Sequence, residues 1–256
     1  MRYLYFDCFA GFDLSMILGA FVDMGTDVKT LEKYFLPGVT FSAREEKRMG
    51  MEAVCAYTDS VYPSETVCIK RIEELIDGLG VSAECENCLK KYISILKDVR
   101  CFEPEDAEFD ISEQSVYISV LCAIWNEARN YGIEKIYISP VFTSSEDGLF
   151  GPYTKPETVC VSKKYDIDMR YAGEYEEIFS VSASAMLAAL GAESVSGFVP
   201  SSVVKIGYGA GKSELQTLPN ILRVVIGEGN SDSVMFSAEE IGADFCRSDY
   251  AVMKES

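Results

Sequence analysis

The sequence predicts a mixed α/β chain, of α+β type, in which a core sheet with flanking helices carries an antiparallel C-terminal strand pair. Three observations lead there. "YLYFD" (3–7) is an apolar run that ends on an aspartate before a turn at Gly11, as a buried strand would. Apolar residues then recur at helical spacing in several separate segments. Near the end, the β-branched runs "VVKIGYG" and "NILRVVIGE" are separated by roughly 12 residues, which suits an antiparallel pair and is too short for a helical crossover.

In chain order, Leu14, Ile17, Leu18, Phe21 and Val22 mark a first helix, and Gly25 stands where a C-cap glycine belongs. A short second helix follows. "VTFSAREEKRMGMEAVCAYT" (39–58) then reads as two strands joined near Met49-Gly50, although its alternation is poor. Ile72, Leu75, Ile76 and Leu79 mark one amphipathic helix, and Leu89, Tyr92, Ile93 and Leu96 mark another. A third runs from about Ser112, with Tyr117, Val120, Leu121, Ile124 and Ala128 on one face, and stops at Gly132. "IYISP" (136–140) is the next strand. Residues 143–175, rich in Ser, Gly, Pro and charge, predict a long and partly irregular connection, the kind that often carries function. The expected organisation is one region over 1–228 and a tail over 229–256.

At 256 residues with 48% apolar content, the chain is long enough to bury a sizeable core. Its formal charge is −18, a field that repels phosphate backbones and anionic membrane surfaces, so nucleic acid and membranes are not expected partners. No stretch approaches the ~18 apolar residues of a membrane span, and the start lacks a signal peptide's apolar core. The expectation is a soluble, cytoplasmic protein. Nine cysteines without regular spacing fit reduced thiols better than a disulfide framework. Only Cys85 and Cys88 are spaced like ligands, and a single C-x-x-C without His is weak evidence for a metal.

The chain has no histidine. It therefore lacks the commonest metal ligand and the side chain best suited to proton transfer near neutrality, which excludes catalytic triads and the H-E-x-x-H zinc site. "IGYGAGKS" (206–213) ends like a Walker A loop, but the position of its first glycine is Ile206, and "SELQTLPN" leads to a strand instead of a helix.

Three segments in order, "YFDCFAG…MILGAFVDMG" (5–25), "GIEKIYISP" (132–140) and "IGYGAG…LPNILRVVIGE" (206–228), resemble the LarC family of nickel insertion proteins. Asp7, Cys8, Phe9, Gly11 and Met16 fit that family's first motif, and Tyr208, Asn220 and Arg223 fit its last. The resemblance implies insertion of nickel into a pyridinium bisthiocarboxylate mononucleotide, a lyase-class reaction. It also implies a small nucleotide-like precursor as ligand. The polar centre departs from the pattern. The family's Gly-Asp before Met16 is Leu14-Ser15, leaving Asp13 as a displaced carboxylate. Its His-containing stretches correspond to "RCFEPEDAEFD" (100–110) and "FGPYTKPET" (150–158). A later segment keeps Glu177, with Ser180 and Ser182 as hydroxyl replacements. The family's further C-terminal region, associated with cytidine triphosphate, does not fit within this chain. Either a separate partner chain supplies it or the nucleotide step is absent, and a homo-oligomer is a further expected partnership. A catalytically degenerate relative serving as a binding or assembly subunit is the alternative reading.

The candidate metal residues are Asp7, Asp13 and Glu177, and no catalytic residue is assigned. Asp7 sits at a strand end, where open α/β sheets build their crevices, but a turn hydrogen bond would also explain it. The candidate ligand-binding residues are Gly11, Gly207, Tyr208, Gly209, Gly211, Asn220 and Arg223. The last three glycines allow close approach to a ligand and equally suit a bulged strand end. Arg223 could grip an anion with both arms of its guanidinium or lie on the solvent face. Nickel's plausible thiolate ligands are Cys8, Cys101 and Cys160. Glu103, Glu105, Asp106, Glu108 and Asp110 could hold magnesium or manganese, or form a solvated loop.

Overall fold

The computed structural model describes residues 1–100, 107–144, 146–148, 151–172, 177–196 and 202–229. The first half runs β1 (Arg2–Asp7), α1 (Leu14–Asp23), α2 (Val28–Glu32), β2 (Val39–Arg48), β3 (Met51–Ser60), β4 (Thr66–Cys68), α3 (Ile69–Asp77) and α4 (Ala83–Arg100). Then come β5 (Glu108–Asp110), α5 (Ile111–Asn130), β6 (Lys135–Ile138), β7 (Val141–Thr143), β8 (Glu146–Gly148) and β9 (Gly151–Tyr153). The last elements are α6 (Pro156–Lys164), β10 (Met169–Tyr171), α7 (Val181–Leu190), β11 (Glu193–Ser194), β12 (Val203–Ala210) and β13 (Ile221–Glu228). Among the described residues no helix is long and apolar enough to cross a membrane.

Among the described residues the main sheet has seven strands in the order β11-β6-β1-β13-β12-β3-β2. β13 is antiparallel to both neighbours, β1 and β12, while β6 is parallel to β1 and β3 is parallel to β12. The expected C-terminal strand pair is thus β12–β13, and it lies in the middle of the sheet. One consequence decides where a site can form: the C-terminal ends of β1, β6 and β12 share an edge with the N-terminal end of β13.

Alternation gives the sheet two different faces. Leu4, Phe6, Leu222, Val224 and Ile226 point into the main core with residues from all seven helices. Phe6 meets Phe12 edge-on at 5.5 Å, and burial of each such ring contributes roughly 1.5–3 kcal/mol. Tyr3, Tyr5, Tyr137 and Val225 cluster on the other face, and Ala53, Cys55, Ala210 and Ile221 form a further cluster. Among the described residues no helical one contributes to either.

Two helices depart from the expectation. The segment 143–175 is more regular than its composition suggests, because Pro156 opens α6 at its first turn while Lys163 and Lys164 close it. α7 gives no periodic signal because its residues from Ser182 to Ala189 are buried all round. The hairpin over 39–58 forms as expected, with β2 and β3 paired from Val39↔Ser60 to Arg48↔Met51.

Asp110 is the N-cap of α5. Its carboxylate accepts from Ser64 Oγ at 2.6 Å and from the Glu113 N–H at 2.9 Å, and these bonds, the Ser64 one foremost, hold its pKa below the ordinary 3.8. Asp110→Ala is expected to cost about 1 kcal/mol in urea unfolding at neutral pH. A depressed carboxylate stabilises above its unfolded pKa and loses that contribution as pH falls through its folded value. The gap between wild type and variant should therefore close in acid below 3.8.

Candidate functional site at the strand ends

The edge begins where β1 stops. The Cys8 N–H donates to Ser139 Oγ at 2.8 Å, just past β6, and the Cys8 carbonyl accepts from the Phe142 N–H at 3.1 Å. The Phe12 N–H donates to the Ile178 carbonyl at 2.9 Å, and the Ile178 N–H donates to Ser144 Oγ at 3.3 Å. Three loops distant in sequence are knit together by these bonds. Gly11 is required at their junction: its φ is +95°, and a Cβ there would stand 2.3 Å from the Ile178 carbonyl oxygen.

On the helix-free face, register brings three predicted residues into one row. Asp7 pairs with Arg223 across β1–β13, and Tyr208 pairs with Arg223 across β12–β13. The Arg223 guanidinium forms an ion pair with Asp7, with Tyr208 its neighbour across β12–β13. Burial opposes its charge, but the adjacent Asp7 carboxylate holds its pKa up. Arg223 remains 42% exposed and Asp7 15%, so the arginine can meet a ligand while the aspartate anchors it. Burial, reinforced by Asp7, raises the Tyr5 phenol and keeps it neutral. The same two causes push the buried Cys8 thiol up and disfavour its thiolate.

A second group lies on the helix side. Asp13 is the N-cap of α1, accepting from the Met16 N–H at 2.9 Å and from Ser15 Oγ at 2.5 Å. Glu177 pairs with Lys155 at 3.0 Å. Ser180 caps α7 and lies 3.1 Å from the Tyr117 hydroxyl, while Ser182 Oγ donates to Glu113 at 2.9 Å. The Tyr117 phenol is raised, first by burial and then by the negative charges of Glu113, Asp13 and Glu177. Asp13 and Glu177 thus act on one phenol, whereas Asp7 turns to Arg223. Among the described residues no three His, Cys, Asp or Glu side chains gather to hold a metal ion. Asp7, Asp13 and Glu177 form no ready-made nest.

The glycine signature has a different use from the expected one. Gly207 and Gly209 face α1, where an added Cβ would lie 2.1 Å from the Ala20 carbonyl oxygen and 1.6 Å from that of Met16. The close approach is by helix backbone and leaves a ligand no room on that side. The side chain of Asn220 fills the space beside Gly211, and its Nδ2 donates to the Ser213 carbonyl at 2.7 Å. Arg48 Nη2 donates to the Gly211 carbonyl at 3.0 Å. These contacts shape the connection between β12 and β13, which enters no helix, so Gly211-Lys212-Ser213 is no phosphate loop. Of the predicted ligand residues, Gly11, Tyr208 and Arg223 stay at the edge, while Gly207, Gly209, Gly211 and Asn220 are spent on the fold.

The remaining candidates scatter. Cys160 is exposed, and Cys101, Glu103, Glu105 and Asp106 lie outside the described residues. Glu108 is exposed on β5 and Asp110 is a helix cap. Sequence reasoning missed Tyr5, Glu113, Tyr117, Ser139 and Lys155. Ser139 alone had a signal, since "YISP" ends a strand on the edge that Asp7 ends.

The fold and this edge define a mixed α/β protein that places Asp7 and a half-exposed Arg223 at strand ends, the usual place for a ligand crevice. The chain belongs to the nickel insertion protein family, whose family model, described as "Nickel insertion protein", matches residues 4–244. It is 28% identical over 247 residues to a putative nickel insertion protein of Syntrophobacter fumaroxidans, covering 90% of this chain and 61% of the relative. It is 30% identical over 246 residues to another from Wolinella succinogenes, covering 89% and 61%. A pyridinium-3,5-bisthiocarboxylic acid mononucleotide nickel insertion protein of Desulfitobacterium hafniense (strain DSM 10664 / DCB-2) is 26% identical over 243 residues, covering 89% and 59%. The chain thus spans about three fifths of the length of these relatives. No solved structure matches it.

Proposed function

We propose that this chain takes part in placing nickel into a pyridinium bisthiocarboxylate mononucleotide, the substrate printed in the name of the Desulfitobacterium relative. The observation that carries this reading is Arg223, a half-exposed guanidinium held by Asp7 at the strand ends, with Tyr208 beside it in the strand register. In a chain of net charge −18, an anchored arginine gives an anionic ligand a local foothold that the overall field denies it. A thiocarboxylate or the nucleotide phosphate supplies the matching anion. Nickel is cargo, and the sulfur atoms of the substrate are donors that suit it, so a complete protein cage is not needed. Asp7, Asp13 and Glu177 are the carboxylates proposed to meet the ion on its way, and Gly11 lets the edge close.

A second reading, a degenerate relative acting as a binding or assembly subunit, draws on two observations. The chain has no His, and no three metal-ligating side chains converge among the described residues.

Calorimetric titration of nickel, manganese and magnesium, with and without the pincer mononucleotide and cytidine triphosphate, tests both. Insertion predicts nickel uptake that depends on the mononucleotide, with a nickel–sulfur absorption band. Mononucleotide binding without that band supports the assembly reading, and binding of neither nickel nor mononucleotide at micromolar protein overturns both.

A further inference from the structure

The motif left unused is Cys85-x-x-Cys88. Its two thiols diverge: Cys88 Sγ lies 3.5 Å from the Ala189 carbonyl on α7, whereas Cys85 Sγ lies 3.6 Å from Cys122 Sγ on α5. We propose that Cys85 and Cys122 are a dithiol that a hydroperoxide converts to an intramolecular disulfide joining α4 to α5.

Position and surroundings make the two sulfurs unequal. Cys85 lies in the first turn of α4, an 18-residue helix whose unpaired N–H groups favour negative charge, and its own N–H donates to Ser82 Oγ at 3.3 Å. Asn126 Nδ2 stands 3.7 Å from Cys85 Sγ and 3.6 Å from Cys122 Sγ. Hydrogen bonds, first from Cys122 and then from Asn126, lower the Cys85 thiol's pKa against the opposing effect of burial, while the Cys122 thiol is raised. Its place in the first turn of α4 makes Cys85 the attacking sulfur and leaves Cys122 as the resolving one. Both are buried, but Asn126 beside them is only partly so, which places the pair one side chain below the surface.

The chemistry balances with one peroxide. The Cys85 thiolate attacks an oxygen of hydrogen peroxide and breaks the O–O bond, giving a sulfenic acid and hydroxide, which takes up the proton lost by Cys85 to become water. The Cys122 sulfur then displaces the sulfenic hydroxyl. An Sγ–Sγ bond forms, and the hydroxyl leaves with the Cys122 proton as a second water. Two thiols lose two electrons in all.

The test treats the folded full chain with hydrogen peroxide, alkylates free thiols in denaturant and maps peptides under non-reducing conditions. A cross-linked peptide of Cys85 and Cys122, lighter by two hydrogens and released by dithiothreitol, is expected. Cys88→Ser should retain it. Cys122→Ser should lose it and leave Cys85 reactive with dimedone as a sulfenic acid. The proposal fails if peroxide consumes exposed Cys68 and Cys160 while Cys85 and Cys122 both stay alkylatable, or if Cys85 links to Cys88. Should a variant not fold, the wild-type map alone decides.

Discussion

Gly209→Ala is expected to destabilise the protein by about 4 kcal/mol or more, enough to leave little folded chain at ordinary temperature. The added methyl would be built 1.6 Å from the Met16 carbonyl oxygen and 2.8 Å from the Ala20 nitrogen, both in the backbone of α1. A flexible side chain could swing aside, but a helix held against β12, β3 and β13 can move only by opening the core. Gly207→Ala meets the Ala20 carbonyl oxygen at 2.1 Å, and Gly19→Ala meets that of Val54 at 1.9 Å, so both should also be severe. Urea unfolding read by far-ultraviolet circular dichroism measures the effect. A Gly209→Ala protein with a near-normal midpoint would show that α1 does not sit where these contacts require it.

Arg223→Ala is expected to weaken mononucleotide binding by about 100-fold, roughly 2.7 kcal/mol, because it removes the anchored guanidinium. Arg223→Lys keeps the charge without the planar fork and should recover part of the affinity. Asp7→Asn leaves the arginine unheld, and about tenfold is expected from the loss of its orientation. Stability should respond differently. Arg223→Ala strands a largely buried carboxylate, whereas Asp7→Asn combined with Arg223→Ala relieves that cost, so the two changes should not be additive in a double-mutant cycle. Calorimetric titration supplies the affinities and urea unfolding the stabilities. Unchanged affinity in a folded Arg223→Ala protein would remove the arginine from the ligand site, and with it the main support for the proposed function.

Much of the scaffold was readable from local pattern. Met49-Gly50 joins two long paired strands and was legible as a turn despite their poor alternation, whereas the apolar stripe from Tyr117 to Ala128 belongs to one helix because it obeys a period set by backbone geometry alone. α7 escaped for the same reason in reverse: a helix surrounded by protein has no polar face to reveal its period. The motif glycines were visible, but their use was not. A missing Cβ tells that something comes close, and only the neighbouring element decides whether that is a ligand or, as at Gly207 and Gly209, the backbone of α1.

The sequence by itself determined the amphipathic helices and the main strands, the absence of imidazole chemistry, the acidic field and the resemblance that the family match bears out. Tertiary structure decided which polar groups meet. Asp7 and Arg223 are 216 positions apart, and the order of the sheet makes them partners by setting β13 against β1. Asp7, Asp13 and Glu177, alike as carboxylates on paper, were sent to an arginine, a helix cap and a lysine. The physical reason is that periodicity is a property of one segment, whereas register and facing are properties of pairs, settled by which apolar surfaces bury each other best.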